Sequence, residues 1–201
     1  LADLARGKLR KKLPALRQAL RGHFRAHHAF LVSQLLAHLD YLDEAIETVS
    51  TQIDTALAPF AEELARLDTI RGVNKRTAEV LLAELGPDMR VFPTAKHAAS
   101  WAGLCPGNHE SAGKQKRGKV RKGNRWLRPA LVEAAWAASP PKDTSLSATC
   151  PRIKGRRGGK RACLAVGHRI LRLAYALLSN PRPYQEEGPA YSQAPDKDRV
   201  K

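Results

Sequence analysis

The chain has 201 residues, of which 35 are Lys or Arg and 19 are Asp or Glu, for a formal net charge of +16 at pH 7 and an isoelectric point near 10.3. Its length and a 43% apolar share allow one or two packed domains, and the cation surplus makes a polyanion the default partner, because clustered Lys and Arg release counterions condensed on phosphates. No signal peptide and no run of about 18 apolar residues supports export or membrane spanning, while Cys105, Cys150 and Cys163 are odd in number, far apart and lack zinc-ligand spacing, as expected of reduced thiols in a cytosol.

Residues 1–28 form a basic connecting arm carrying Lys8, Arg10, Lys11, Lys12, Arg17, Arg21 and Arg25, followed by His27 and His28, which read as surface histidines. Because the chain opens on Leu1 and Met89 is its lone methionine, a longer protein is expected upstream. Over 29–66, Leu35, Leu39, Leu42, Ile46, Val49 and Ile53 step by four and three residues, the seam of a coiled coil. A helical hairpin within the chain competes with that reading. Asp40, Asp43, Glu44 and Glu47 keep the outer face wet, and Pro59 suits the first turn of a new helix.

Residues 67–180 read as a helical domain, and the fold class is mainly α: long coiled-coil-like helices followed by a domain with a helix-hairpin-helix. Ala61 to Leu67 and Thr77 to Leu85 flank Ile70-Arg71-Gly72-Val73-Asn74-Lys75. In such a hairpin, small residues turn backbone N–H groups and a helix N-terminus toward a phosphate. Asn74 stands at the second glycine position, where it can take a left-handed conformation and cap the next helix, with Lys75 and Arg76 alongside. An ordinary helix corner is the competing reading.

Thr94 is placed to cap a helix through Trp101 that ends at Gly103. The loop that follows holds Ser111, Gly113, Lys114, Lys116, Arg117, Lys119, Arg121 and Lys122. Asn124 then caps a helix whose stripe is Leu127, Leu131, Ala134, Ala135 and Ala138, with a bend expected at Pro129 and a stop at Pro140. Residues 142–159 read as loop or short helix ending in Arg156 and Arg157, Lys160 to Leu178 as a buried helix, and 181–201 as a largely disordered tail. His168 reads as a hydrogen-bonded core residue rather than a catalyst.

Charge is segregated along the chain. Residues 108–128 and 152–172 each carry eight Lys or Arg against one acid and none, while 40–68 carries eight acids against Arg66. Around Ser111 these are the ingredients of a phosphate-handling loop: a weak nucleophile that needs activation, and Lys114, Lys116 and Arg117 to stabilise charge in a pentavalent transition state. Gly113 would permit a strand to approach closely. The spacing does not make a Walker loop. Lys114, Lys116, Arg117, Lys119, Arg121, Lys122, Asn124, Arg125, Arg128, Arg156 and Arg157, with Gly72, Val73, Asn74, Lys75 and Arg76, are the candidate nucleic-acid contacts.

The string Leu67-Asp68-Thr69-Ile70-Arg71-Gly72-Val73 resembles the transposase domain of the IS110 family of insertion sequences. So do Phe92-Pro93-Thr94-Ala95-Lys96-His97, Ser100-Trp101-Ala102-Gly103-Leu104, Pro106 to Lys114, Arg121 to Arg128, and the helix from Lys160 to Leu178. The resemblance implies a recombinase whose serine nucleophile corresponds to Ser111. It implies that Mg2+ and the acids holding it belong to an upstream RuvC-like domain, so this piece alone holds no cofactor and binds nucleic acid without cutting it. Expected partners are DNA, a structured guide RNA and further copies of the chain in a homo-oligomer, with no membrane, at the bacterial nucleoid. A non-catalytic helix-hairpin-helix binding module is the alternative.

Overall fold

The computed structural model describes residues 2–22, 24–105, 110–111, 114–115, 122–140, 144–180, 184–186 and 188. It is mainly α-helical and divides into two compact units, Leu1–Ala56 and Leu57–Lys201. The expected tail, 181–201, lies mostly outside the described residues.

In the first unit, short 3-10 turns at Ala2–Leu4 and Gly7–Lys12 lead into α1, Leu13–Ala19. The basic arm is therefore locally helical, with Arg17 paired to Asp3 at 2.9 Å. Helix α2 runs unbroken over Ala26–Leu57, which sets aside the hairpin reading for this stretch. Its polar side chains need no partner helix: the hydroxyls of Thr48, Thr51 and Thr55 donate to carbonyls one turn back. Its apolar seam, by contrast, is uncovered. No residue of α2 is buried, and Leu35, Leu39, Ile46 and Val49 are all more than half exposed.

The second unit opens with a 3-10 turn at Ala58–Phe60 carrying Pro59, then α3, Ala61–Asp68, and α4, Lys75–Leu85. Helix α5 covers Ala95–Trp101; its cap residue Thr94 bonds to His97 rather than to a backbone N–H. A two-stranded antiparallel ribbon, β1 (Glu110–Ser111) and β2 (Lys114–Gln115), precedes α6, Leu127–Ala138. Pro129 is the third residue of α6, inside the first turn where N–H groups have no helical acceptor, so no break is required there.

Helix α7, Ser145–Arg157, decides for a helix over much of 142–159, where the sequence left loop or short helix open. Ser, Thr, Pro151 and Gly155 give it a poor helix propensity, which tertiary contacts override. Thr144 and Ser147 close a reciprocal capping box, Leu146 is fully buried, and Arg169 donates to the Ser145 carbonyl and the Thr149 hydroxyl. Helix α8, Gly159–Ser179, is the central element and packs on α7, α6 and α5. By length and composition it could cross a membrane, but half of its apolar window is buried inside this unit. The α6 stripe read from the sequence, Leu127, Leu131, Ala134, Ala135 and Ala138, is wholly buried against it. Each such leucine contributes roughly 1.5–3 kcal/mol by leaving water.

Candidate nucleic-acid interface

The basic loop is closed at its foot. Helix α5 ends and the chain turns through Ala102 and Gly103, with Gly103 and Leu104 N–H groups bonded to Ser100 and Ala99 carbonyls. On the return, Gly123 lies so close to this turn that a Cβ there would meet the Ala102 carbonyl and the Gly103 nitrogen. Only glycine fits such an approach of two backbones. Asn124 N–H donates to the Trp101 carbonyl at 3.3 Å. Its Oδ1 accepts from the N–H groups of Trp126 and Leu127, both at 2.8 Å, and its Nδ2 donates to Glu84 of α4. Two donors facing Oδ1 and a carboxylate facing Nδ2 admit one orientation of the amide. Asn124 therefore opens α6 as its residue type suggested, and its side chain is committed to the scaffold.

From this foot the chain carries the ribbon, in which Ser111 is paired with Lys114 and Glu110 with Gln115. Lys116, Arg117, Lys119 and Arg121 lie outside the described residues. Lys122 and Arg125 are exposed and Arg128 is half-buried, so three cations surround the foot. The Arg125 guanidinium sits over the Trp126 ring, 4.6 Å from its centroid. Trp126 is 60% exposed and Trp101, tilted against Phe92, is 42% exposed. Neither tryptophan was singled out from the sequence, where a large aromatic beside a helix end reads as core; the signal available was the cationic run on both sides of Trp126.

The turn at 69–74 is oriented differently from a phosphate-binding hairpin. Gly72 has φ +85°, and a Cβ on it would lie 2.7 Å from that of Ala138 and meet the Ala134 carbonyl, so its conformation lets the turn pack on α6. Val73 and Ile70 are buried in the core. Asn74 caps α4 through a bond from the Thr77 N–H, as expected, but its φ of −108° is extended rather than left-handed. Lys75 and Arg76 are exposed, and both face the buried carboxylate of Glu79, at 4.0 and 2.8 Å. An open groove of about 550 Å³ borders the turn, with Asp68 and Glu186 as well as Arg71 in its walls. Two acids make it a poor cradle for an anion.

Arg156 and Arg157 are exposed at the end of α7, and Arg152, Lys154, Lys160 and Arg161 continue that basic ridge along the α7–α8 corner. Among the described residues no three His, Cys, Asp or Glu side chains form a set that could hold a metal ion. Burial pushes the thiols of Cys105 and Cys163 up, away from the reactive thiolate. His168 is shifted down by burial and by Arg172 nearby, which favours the neutral imidazole.

The cation-rich stretch 108–128 returns to the helical core at this foot, and comparison with known proteins finds a transposase family and a gene-inverting protein among the relatives of the chain. Residues 64–149, from α3 into α7, match the Transposase IS116/IS110/IS902 family, and the chain belongs to that family. It is 30% identical over 147 residues to the transposase for insertion sequence element IS1111A of Coxiella burnetii, covering 71% of this chain and 40% of the relative. It is 32% identical over 166 residues to the insertion element IS110 uncharacterized 43.6 kDa protein of Streptomyces coelicolor, covering 80% and 39%. A pilin gene-inverting protein of Moraxella bovis is 31% identical over 123 residues, covering 60% and 38%. The chain spans less than half the length of these relatives.

Proposed function

We propose that this chain is the strand-exchanging part of a DNA transposase, with the Ser111 hydroxyl as nucleophile. The observation that carries the reading is the ribbon that pairs Ser111 with Lys114, within a stretch of eight cations and one acid that also includes the Gly123–Asn124 foot. Attack by Oγ on a DNA phosphorus forms a serine phosphoester and breaks the bond to a sugar oxygen, which leaves carrying the serine proton. Attack by the sugar hydroxyl of a second strand reverses the exchange and restores the serine. One phosphoester replaces another, so the role of the loop is to orient the groups and to stabilise charge at the pentavalent state.

The metal chemistry implied by family resemblance has no donor set among the described residues. Acids and Mg2+ would come from a RuvC-like region outside this chain. The basic ridge at the α7–α8 corner and the cations at the foot give the protein two surfaces for polyanions, in keeping with DNA and a guide RNA as joint partners. The exposed seam of α2 fits a second copy of the chain, packed as a coiled coil. The site of action in this reading is the bacterial cytoplasm at the nucleoid. A helix-hairpin-helix phosphate site at Gly72 has less support, because that glycine faces α6 and two carboxylates line the groove.

The test uses the complete transposase with its guide RNA and DNA from the ends of its element. Wild type is expected to form a covalent protein–DNA adduct that survives denaturation, and Ser111→Ala to lose it entirely while DNA affinity changes less than about twofold, the span of an ordinary surface substitution. Adducts that persist in Ser111→Ala would place the nucleophile elsewhere.

A further inference from the structure

We infer that Trp126, with Arg125 across one side of its ring, is a stacking platform for one unpaired nucleobase of the strand handled at the Ser111 ribbon. The inference rests on the reading of the loop as a nucleic-acid site and specifies the form of its ligand. An indole that is 60% exposed is an unsatisfied apolar surface. Its backbone is anchored: the Trp126 N–H is bonded to Asn124, which also grips Trp101 and Glu84. The ring therefore sits on a corner that is already rigid, so little ordering entropy is lost on binding.

Charge decides between a nucleobase and an apolar protein surface as the occupant. Residues 122–128 contain Lys122, Arg125 and Arg128 and no acid, and the nearby Glu84 is bonded to Asn124. An apolar partner would have to bury the Arg125 guanidinium lying 4.6 Å from the ring centroid, at a desolvation cost. A nucleotide instead gives the indole and the guanidinium plane a π-face to stack on, and gives Lys122 and Arg128 a phosphate. Trp136 supplies an internal control. It is also 60% exposed, but it lies on α6 about 15 Å along the axis from Trp126, with the exposed acid Glu133 one turn away.

The experiment measures binding of the intact 201-residue chain to labelled ten-residue oligothymidylate, ten-residue oligouridylate and a blunt DNA duplex at one salt concentration. Trp126→Ala is expected to weaken oligothymidylate binding by about 10- to 100-fold, the range for loss of one base–aromatic stack, and duplex binding by less than about twofold. Trp126→Phe should recover most of the loss, because a phenyl ring still stacks, and Trp136→Ala should change neither ligand. An equal loss on oligouridylate marks base stacking without discrimination between sugars, whereas a loss confined to one polymer identifies the strand that is held. Because Trp126 is exposed, matching thermal melts will show that its variants are folded.

Duplex binding that survives while single-strand binding ignores position 126, or an equal loss on both ligands, overturns the platform and leaves the loop as a nucleic-acid site. A wild-type chain that binds neither strand nor duplex overturns both readings. A Trp126→Ala variant whose only change is in self-association makes the ring a protein contact and also overturns the platform.

Discussion

Helices α2 and α8 are the two longest in the chain and both are rich in leucine, alanine and β-branched residues, yet their environments are opposite. No residue of the 32 in α2 is buried, while nine of the 21 in α8 are. The difference lies in how the apolar residues are arranged. In α8 a buried position recurs at every turn, as Ala162 with Cys163, Val166 with Gly167, Ile170 with Leu171, then Ala174 by itself, and Leu177 with Leu178. That makes a broad stripe which several neighbours within one unit can cover. In α2, Leu35, Leu39, Leu42, Ile46 and Val49 step by four and three residues, the spacing of a coiled-coil seam, Leu31, Val32 and Leu36 widen it toward the N-terminus, and all of them are exposed. A helix can thus be apolar along much of its length and still leave that surface outside the core.

The largest expected effect comes from comparing one residue on each helix. Ile170→Ala should destabilise the second unit by about 2–5 kcal/mol, read from the denaturant midpoint. Leu39→Ala, measured at concentrations low enough to keep the chain monomeric, should change stability by less than about 0.5 kcal/mol. Equal losses in the dilute protein would mean that the α2 seam is already covered, and the contrast would fail. Next in size is the self-association itself. The double substitution Leu39→Glu with Ile46→Lys should convert an oligomer to a monomer in sedimentation or light scattering, leaving the melt of the second unit in place. A wild-type chain that is monomeric at all concentrations would remove the second copy as the partner of α2.

The smallest effect tests how the second unit finishes its core. Glu186 accepts from the Ser145 N–H at 2.9 Å, at the start of α7, and from the Tyr184 hydroxyl at 2.8 Å. Burial alone would raise its pKa, but the bonds from Ser145, Tyr184 and Gly188 outweigh it and hold the carboxyl below its usual value. A group depressed in the folded state contributes stability that is present above its unfolded pKa and is lost as pH falls through the folded one. The protection of the Ser145 amide, its exchange rate relative to the intrinsic rate at each pH, should therefore be high at neutral pH and lower below the ordinary glutamate range near 4.3. Glu186→Gln should remove the pH dependence while keeping part of the protection.

Much of this arrangement could be read before any coordinates. The Leu127–Ala138 stripe, the bounds of α8, the α2 seam and the capping by Asn74 and Asn124 all follow from periodicity and residue type, which act over a few residues and leave a direct trace. Helix α7 left an ambiguous trace. Its Ser, Thr, Pro and Gly content argues for a loop, and it is helical because Leu146 is buried and Arg169 holds its first turn from another helix. At Gly72 the motif predicts a turn with a positive φ, as found, but the approach of that glycine to Ala134 and Ala138 of α6 leaves no trace in the local sequence. The same limit applied to Trp126. A hydrophobic residue carries no label in the sequence for inside or outside, and its exposure became visible only with the foot of the loop assembled around Asn124.

Sequence alone determined the helical class, the segregation of charge that calls for a polyanion, and the family likeness carried by the Ser111 loop, because composition, period and short motifs are local properties. The tertiary structure decided which glycine meets a helix, which cations lie at the foot of the loop and which acid faces Lys75 and Arg76. It also left two tryptophans at the loop foot open to solvent. Those outcomes depend on distances between residues remote in the chain, such as Glu84 with Asn124 and Gly72 with Ala138, and such distances are set only when the helices pack.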